Sequence, residues 1–173
     1  NLTGMNQHTG NWTGKTVANA TGKFEYRGEQ YELVDILGTY SIMSHSEEEE
    51  IARNYICFGN PDSTIVVVDA TSLERNLNLV LQITEITDNL IICVNLLDEA
   101  KKKKIKIDLD ALSNILKVPV VGVTARKKKT LNNLLKCMRT VCDGKEKIDK
   151  IYQIQYQENI ERAINQVKEI IIE

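Results

Sequence analysis

The chain has 173 residues, 42% of them hydrophobic and 27% charged, with a formal charge of −2 at pH 7. That length suits one domain with an appendage, able to bury about 70% of its unfolded surface, and that charge gives no overall field to draw nucleic acid. The four cysteines (Cys57, Cys93, Cys137 and Cys142) form no C-x-x-C pair and have no histidine at ligand spacing, which reads as reduced thiols in a cytoplasmic protein. No apolar run reaches the ~18 residues of a membrane span.

Residues 1–4 read as the tail of a helix stopped by Gly4, and 5–15 as a polar loop with two glycine turns and the single tryptophan, Trp12. A strand is expected over 17–26, a hairpin turn at Arg27-Gly28, and a second strand over 29–35. A polar loop, 39–46, leads to a helix over 47–58 whose four leading glutamates suit the helix dipole. Asn60-Pro61-Asp62 breaks it. Buried strands follow at 63–69 and 89–95, separated by a helix over 73–87. After the basic segment Lys101-Lys-Lys-Lys104 come a helix over about 108–116, a strand over 118–123 and a helix over 130–141 ended by Gly144. One more helix is expected over 148–172, its apolar stripe suited to packing on another helix. Strands alternating with helices mean an α/β fold, a mainly parallel sheet with one antiparallel edge. Ligands in such sheets bind beyond the carboxyl ends of the strands.

Those ends carry the polar residues. Asp35 closes one strand, with Gly38 three residues on; a carboxylate there can hold a metal-bound water, and a glycine N–H can approach a phosphate unobstructed. Asn95-Leu-Leu-Asp98 closes another strand. An amide and a carboxylate so placed suit a purine with a 6-oxo and a 2-amino group: Asn95 can bond N7, and Asp98 can accept from N1–H and the 2-amino group. Asp98 could equally cap the following helix. Val123-Thr-Ala-Arg126 could offer backbone N–H groups to the base oxygen, or be an ordinary strand-to-loop transition. Thr16 could give its hydroxyl to Mg²⁺, or be an ordinary strand residue. The basic runs 101–104 and 126–129 read as a solvated rim, with contact to acidic phospholipid as the sharper alternative. His8 and His45 are isolated and offer no metal site.

Several segments together name a family: Leu2-Thr-Gly4, Gly10-Asn-Trp-Thr-Gly-Lys-Thr-Val17, Asp35-Ile-Leu-Gly-Thr-Tyr-Ser41, Val68-Asp-Ala-Thr-Ser-Leu-Glu-Arg-Asn-Leu77, Asn95-Leu-Leu-Asp98 and Gly122-Val-Thr-Ala-Arg126. The sequence resembles the cytoplasmic GTPase domain of the prokaryotic ferrous iron transport protein B family. The resemblance implies a Ras-like P-loop GTPase fold over 1–144, with 145–173 beginning a helical domain that slows nucleotide release. It implies GTP and GDP as ligands. Asn95 and Asp98 would select guanine, Thr124 and Ala125 would contact its oxygen, and Gly10, Asn11 and Trp12 would lie in the nucleotide-binding loop. Thr16 and Asp35 would serve Mg²⁺, the backbone of Gly10 and Trp12 would hold K⁺, and Thr16 and Gly38 would act in catalysis. Tyr40 stands where Ras-like enzymes place a water-orienting glutamine, so hydrolysis should rest on positioning and electrostatics. The implied partners are a guanine nucleotide and the membrane-spanning region of a parent transporter, at the cytoplasmic face of the inner membrane. Homo-oligomerisation is left open and nucleic acid is not expected.

Two features depart from the family pattern. Proline is missing between Asp35 and Gly38 and at Thr13. The loop G-x-x-x-x-G-K-[ST] does not occur, so the chain reads as a fragment whose sheet lacks a central strand between those ending at Asp35 and Asp69, and which alone should not hydrolyse GTP appreciably. The rival readings are a K⁺-dependent GTPase acting on RNA or ribosomes, and a nucleotide-blind interaction module.

Overall fold

The computed structural model describes residues 7–11, 18–36, 38, 41–43, 46–144 and 154–171. In chain order the elements are β1 (Gln7–Asn11), β2 (Ala18–Tyr26), β3 (Glu29–Asp35), α1 (Glu47–Phe58), β4 (Thr64–Asp69), α2 (Leu73–Thr84), β5 (Leu90–Asn95), α3 (Leu97–Lys102), α4 (Leu109–Leu116), β6 (Val120–Gly122), α5 (Lys128–Cys142) and α6 (Glu158–Ile171). Strands β4, β5 and β6 form a parallel sheet in that order. Its register pairs Asp69 with Asn95 and Val94 with Gly122, so the polar strand ends line one edge.

The continuous apolar run of β5 makes it the middle strand. Leu90, Ile92 and Val94 face a core with Val66 and Val68 of β4, Val80 and Ile83 of α2, and Leu116 at the end of α4. Ile91 and Cys93 face the other way, onto Leu134, Met138 and Val141 of α5. A strand buried on both faces needs apolar side chains at every position, and β5 has them. Burial pushes the Cys93 thiol up to about 11, so it stays protonated and inert.

The antiparallel part is larger than one edge strand. Strands β1, β2 and β3 form a sheet of their own, and β1 occupies what the sequence presents as loop. Its five residues, Gln-His-Thr-Gly-Asn, carry no apolar alternation; pairing with β2 makes the strand, a tertiary effect that pattern cannot reveal. Arg27 and Gly28, with φ of 54° and 84°, give the two left-handed positions of a tight hairpin turn between β2 and β3. Phe24 and Tyr31 stack across the hairpin, ring centres 5.4 Å apart, and pack toward the α5 side of the core. The parallel and antiparallel sheets share no ladder among the described residues, and β3 and β4 are the strands between which a further strand is expected. Val67, in the middle of β4, is 60% exposed.

Three other elements differ from expectation. The 39–46 loop is not wholly polar in its packing: Ile42 is buried in the α2-side core. A short helix, α3, forms where only a basic segment is expected. Helix α6 begins at Glu158, and residues 154–157 before it are not helical; the expected start at 148 lies outside the described residues. Ser46 caps α1, its Oγ accepting the N–H of Glu49 at 3.3 Å, with four glutamates in the first turn.

Because the folded pKa of Cys93 lies above its unfolded value, the stability this thiol contributes is complete below about pH 9 and is lost as pH climbs toward 11. Relative to Cys93→Ala, the unsubstituted chain should lose roughly 2–3 kcal/mol of stability across that window, read by urea denaturation at stepped pH. Parallel curves for the two proteins would overturn the assignment.

Candidate functional site

Three strand ends and the loops after them make the site edge. At the end of β4, Asp69 Oδ1 accepts the N–H of Thr71 at 2.7 Å, closing a local turn, while Ala70 N–H donates to the Asn95 carbonyl at 2.9 Å. At the end of β5, Asn95 Oδ1 accepts the N–H of Ala125, beyond β6, at 3.3 Å. One side chain thus ties two loops together, and its amide nitrogen is left as a donor.

Leu96 then turns the chain with a φ of 63°, an uncommon backbone for a large side chain. This single left-handed residue converts strand into helix and puts Asp98 in the first turn of α3. The cap position there is held by Leu96 and makes no side-chain cap bond, so Asp98 is not the helix cap. Among the described residues Asp98 is half-buried with no hydrogen-bond or ion-pair partner. A carboxylate with no structural employment at a strand end is available to a ligand.

Gly122 explains how α3 comes so close to β6. A Cβ there would stand 2.5 Å from Leu97 Cδ1 and 2.6 Å from Leu109 Cδ1, so its absence lets both helices seat on the strand. Thr130, which pattern reading passes over as an ordinary helix-start residue, organises the loop after β6. Its Oγ1 accepts the N–H of Thr124 at 3.1 Å and lies 2.9 and 2.8 Å from the carbonyls of Thr124 and Lys127. The Thr124 N–H is thus engaged by Thr130, as the Ala125 N–H is by Asn95. The only sequence signal of Thr130 is a hydroxyl six residues after Thr124, at the start of a helix.

Asp35 stands exposed at the end of β3. No group of three or more metal-ligating side chains occurs among the described residues. Mg²⁺ keeps several waters and commonly takes one or two carboxylates plus substrate phosphates, so a lone strand-end carboxylate fits it. Gly38 is also exposed, and a Cβ there would meet nothing within 4 Å. The described surroundings therefore give no packing reason for glycine. After it, Gln82 of α2 fixes the loop: its Oε1 accepts from Ile42 N–H at 2.9 Å and from Ser41 Oγ at 3.1 Å. Gly10 and Asn11 lie in β1, paired with Asn19 and Ala18. Because β1 pairs only with β2 among the described residues, part of its backbone faces away from the ladder. Thr16, Trp12 and Tyr40 lie outside the described residues.

The fold is that of a G domain, of the P-loop GTPase class, as its likeness to solved structures shows. The cytosolic domain of the T. maritima FeoB iron transporter in a GDP form superposes with a TM-score of 0.90 at 34% identity, covering 99% of this chain and 66% of that one. The FeoB G domain from Methanococcus jannaschii gives 0.69 at 44% identity, covering 71% of this chain and 79% of that one. The family model described as ferrous iron transport protein B matches residues 1–138. The chain belongs to the ferrous iron transport protein B family. The Fe(2+) transporter FeoB of Salmonella typhimurium (strain LT2) is 43% identical over 137 residues, 77% of this chain, and the chain spans 18% of that relative's length.

Thr130→Val should leave the buried Thr124 N–H without a partner and cost about 1–3 kcal/mol. Thr130→Ser should restore most of it. Thermal melts of the two variants decide the point; equal stability of Val and Ser forms would remove the hydroxyl from the account.

Proposed function

We propose that the chain is the guanine-nucleotide domain, over 1–144, of a ferrous iron membrane transporter, with 145–173 opening a helical domain that slows nucleotide release. What carries this reading is the bond from Ala125 N–H to Asn95 Oδ1, which turns the Asn95 amide nitrogen outward as a donor for purine N7. Asp98 then accepts from N1–H and the 2-amino group, a pair that guanine has and adenine lacks. The same carboxylate would repel xanthine, which carries oxygen where guanine carries its amine.

Hydrolysis in this reading rests on positioning. Gly38 offers an N–H to the terminal phosphate with no side chain in the way, while Gln82 holds Ser41 and Ile42, three and four residues further on. Asp35 and Thr16 would hold Mg²⁺, and the backbone of Gly10 and Trp12 would hold K⁺; both ions supply positive charge to the phosphates when bound. The phosphate-cradling motif G-x-x-x-x-G-K-[ST] is not among these 173 residues. The nucleotide cycle would act on iron uptake through the membrane-spanning part of the parent, from its cytoplasmic face. No helix among the described residues is long and apolar enough to cross a membrane.

Asp98→Asn tests the base reading, measured in the chain preceded by a phosphate loop. GTP affinity should weaken by roughly 2–4 kcal/mol, while xanthosine triphosphate should bind better than before. Unchanged affinities for both nucleotides would sink the reading.

A further inference from the structure

Nine of the chain's 22 lysines and arginines fall in two short runs: five at 101–104 and 106, four at 126–129. All nine are exposed. Within 97–106 only Asp98 and Glu99 oppose them, and 126–129 contains no acid. Of these nine, only Lys102 has an ion-pair partner among the described residues, Glu99 at 2.8 Å. Leu97 N–H, at the start of α3, donates to the Val123 carbonyl at 3.4 Å and Ala125 N–H to Asn95 Oδ1 at 3.3 Å, so the segments that carry the two runs adjoin in space. In a chain of net charge −2 this is strong local segregation.

The fold does not use this charge for its own stability. Helix α5 opens with Lys127 at its cap and Lys128 and Lys129 in its first turn, with no acidic residue there. A helix start favours anions and disfavours cations, so these residues oppose the local rule. The first run sits on the end of α3, where Lys104 takes a φ of 60° and Ile105 N–H returns to the Ala100 carbonyl at 2.9 Å. The tight turn presents Ile105, 38% exposed, between Lys104 and Lys106, and Leu96 is 39% exposed where α3 begins.

We propose that the adjoining runs 101–106 and 126–129 form a docking face for the anionic headgroups of a phospholipid bilayer. Lysine clusters bind such surfaces through summed Coulomb attraction, and small apolar side chains among them enter the headgroup layer. Single-stranded nucleic acid, the other common partner of a basic face, is bound by stacking bases on aromatic rings. No phenylalanine, tyrosine, tryptophan or histidine occurs between residues 90 and 151, so this face has no stacking platform. The inference rests on the reading of the chain as part of a membrane transporter, which keeps a bilayer within reach. Asp98 stands three residues before the first run and Ala125 directly before the second, so docking would fall on the side where the base enters.

The test is sedimentation of the purified chain with vesicles of phosphatidylcholine, alone or with about a third phosphatidylglycerol. Binding is expected to the anionic vesicles only, and to vanish at about 0.5 M salt. The fourfold variant Lys103→Glu, Lys104→Glu, Lys128→Glu, Lys129→Glu should reduce partitioning at least ~100-fold. Lys23→Glu with Lys136→Glu, the same kind of change elsewhere on the surface, should leave it unaltered; unchanged circular dichroism and melting show that each variant is folded. Equal binding to neutral vesicles, indifference to the fourfold reversal, or tighter binding to a single-stranded RNA than to anionic vesicles at the same salt would each overturn the proposal. Guanine selectivity at Asp98 is read without vesicles, so failure of the nucleotide reading and failure of lipid docking give separate results.

Discussion

Burial of β5 on both faces is the constraint from which the rest of the parallel sheet follows. With Leu90, Ile91, Ile92, Cys93 and Val94 all nearly inaccessible, the strand must be flanked by strands and covered by helices on either side. The parallel register then brings the ends of β4, β5 and β6 to one edge, with Asp69 beside Asn95. Asn95 is useful because it is the first residue of β5 that reaches past the core. Two small departures from regular geometry complete the arrangement. Leu96 takes a left-handed backbone so that α3 can start at once, and Gly122 omits a side chain so that α3 can settle against β6. The cost of a left-handed leucine is about 1–2 kcal/mol, and strain of that kind is typical of sites where geometry matters more than local comfort.

The parallel sheet was legible because its strands are apolar runs ending in polar residues, and because the covering helices repeat at 3.6 residues. Helix α1 follows from its four leading glutamates and the break at Asn60-Pro61-Asp62. Asn95 and Ala125 are brought together as the strand order requires. Strand β1 was not legible, since Gln7–Asn11 has neither alternation nor β-branched residues beyond Thr9 and becomes a strand only through β2. Helix α3 is six residues long, too short for a period to show. Thr130 and Gln82 act by reaching a distant backbone group, 6 and 40 positions away, and no local pattern encodes such a reach. Ile42 looked like a loop residue because its burial depends on α2, not on its neighbours.

Helix α2 has contacts at two levels that composition does not suggest. Gln82 holds the backbone of Ile42 and the hydroxyl of Ser41, and three residues on, Glu85 Oε1 accepts the N–H of Ile154 at 2.9 Å. Residues three apart lie on one side of a helix. The loop after Gly38 and the segment leading into α6 are thus both fastened to the end of one rigid rod, whose other face is sealed into the core by Leu79, Val80 and Ile83.

The outer side of β4 bears on how such a protein comes to be made intact. Val67 presents an apolar side chain to water in mid-strand, and beside it runs a row of peptide groups with no ladder partner among the described residues. A bare strand edge of this kind is a template for any passing extended chain. During synthesis the danger is greatest while β5 is still seeking its neighbours, because parallel pairing closes long loops and is slow. Early pairing along the outer side of β4 would guard against such cross-strand association.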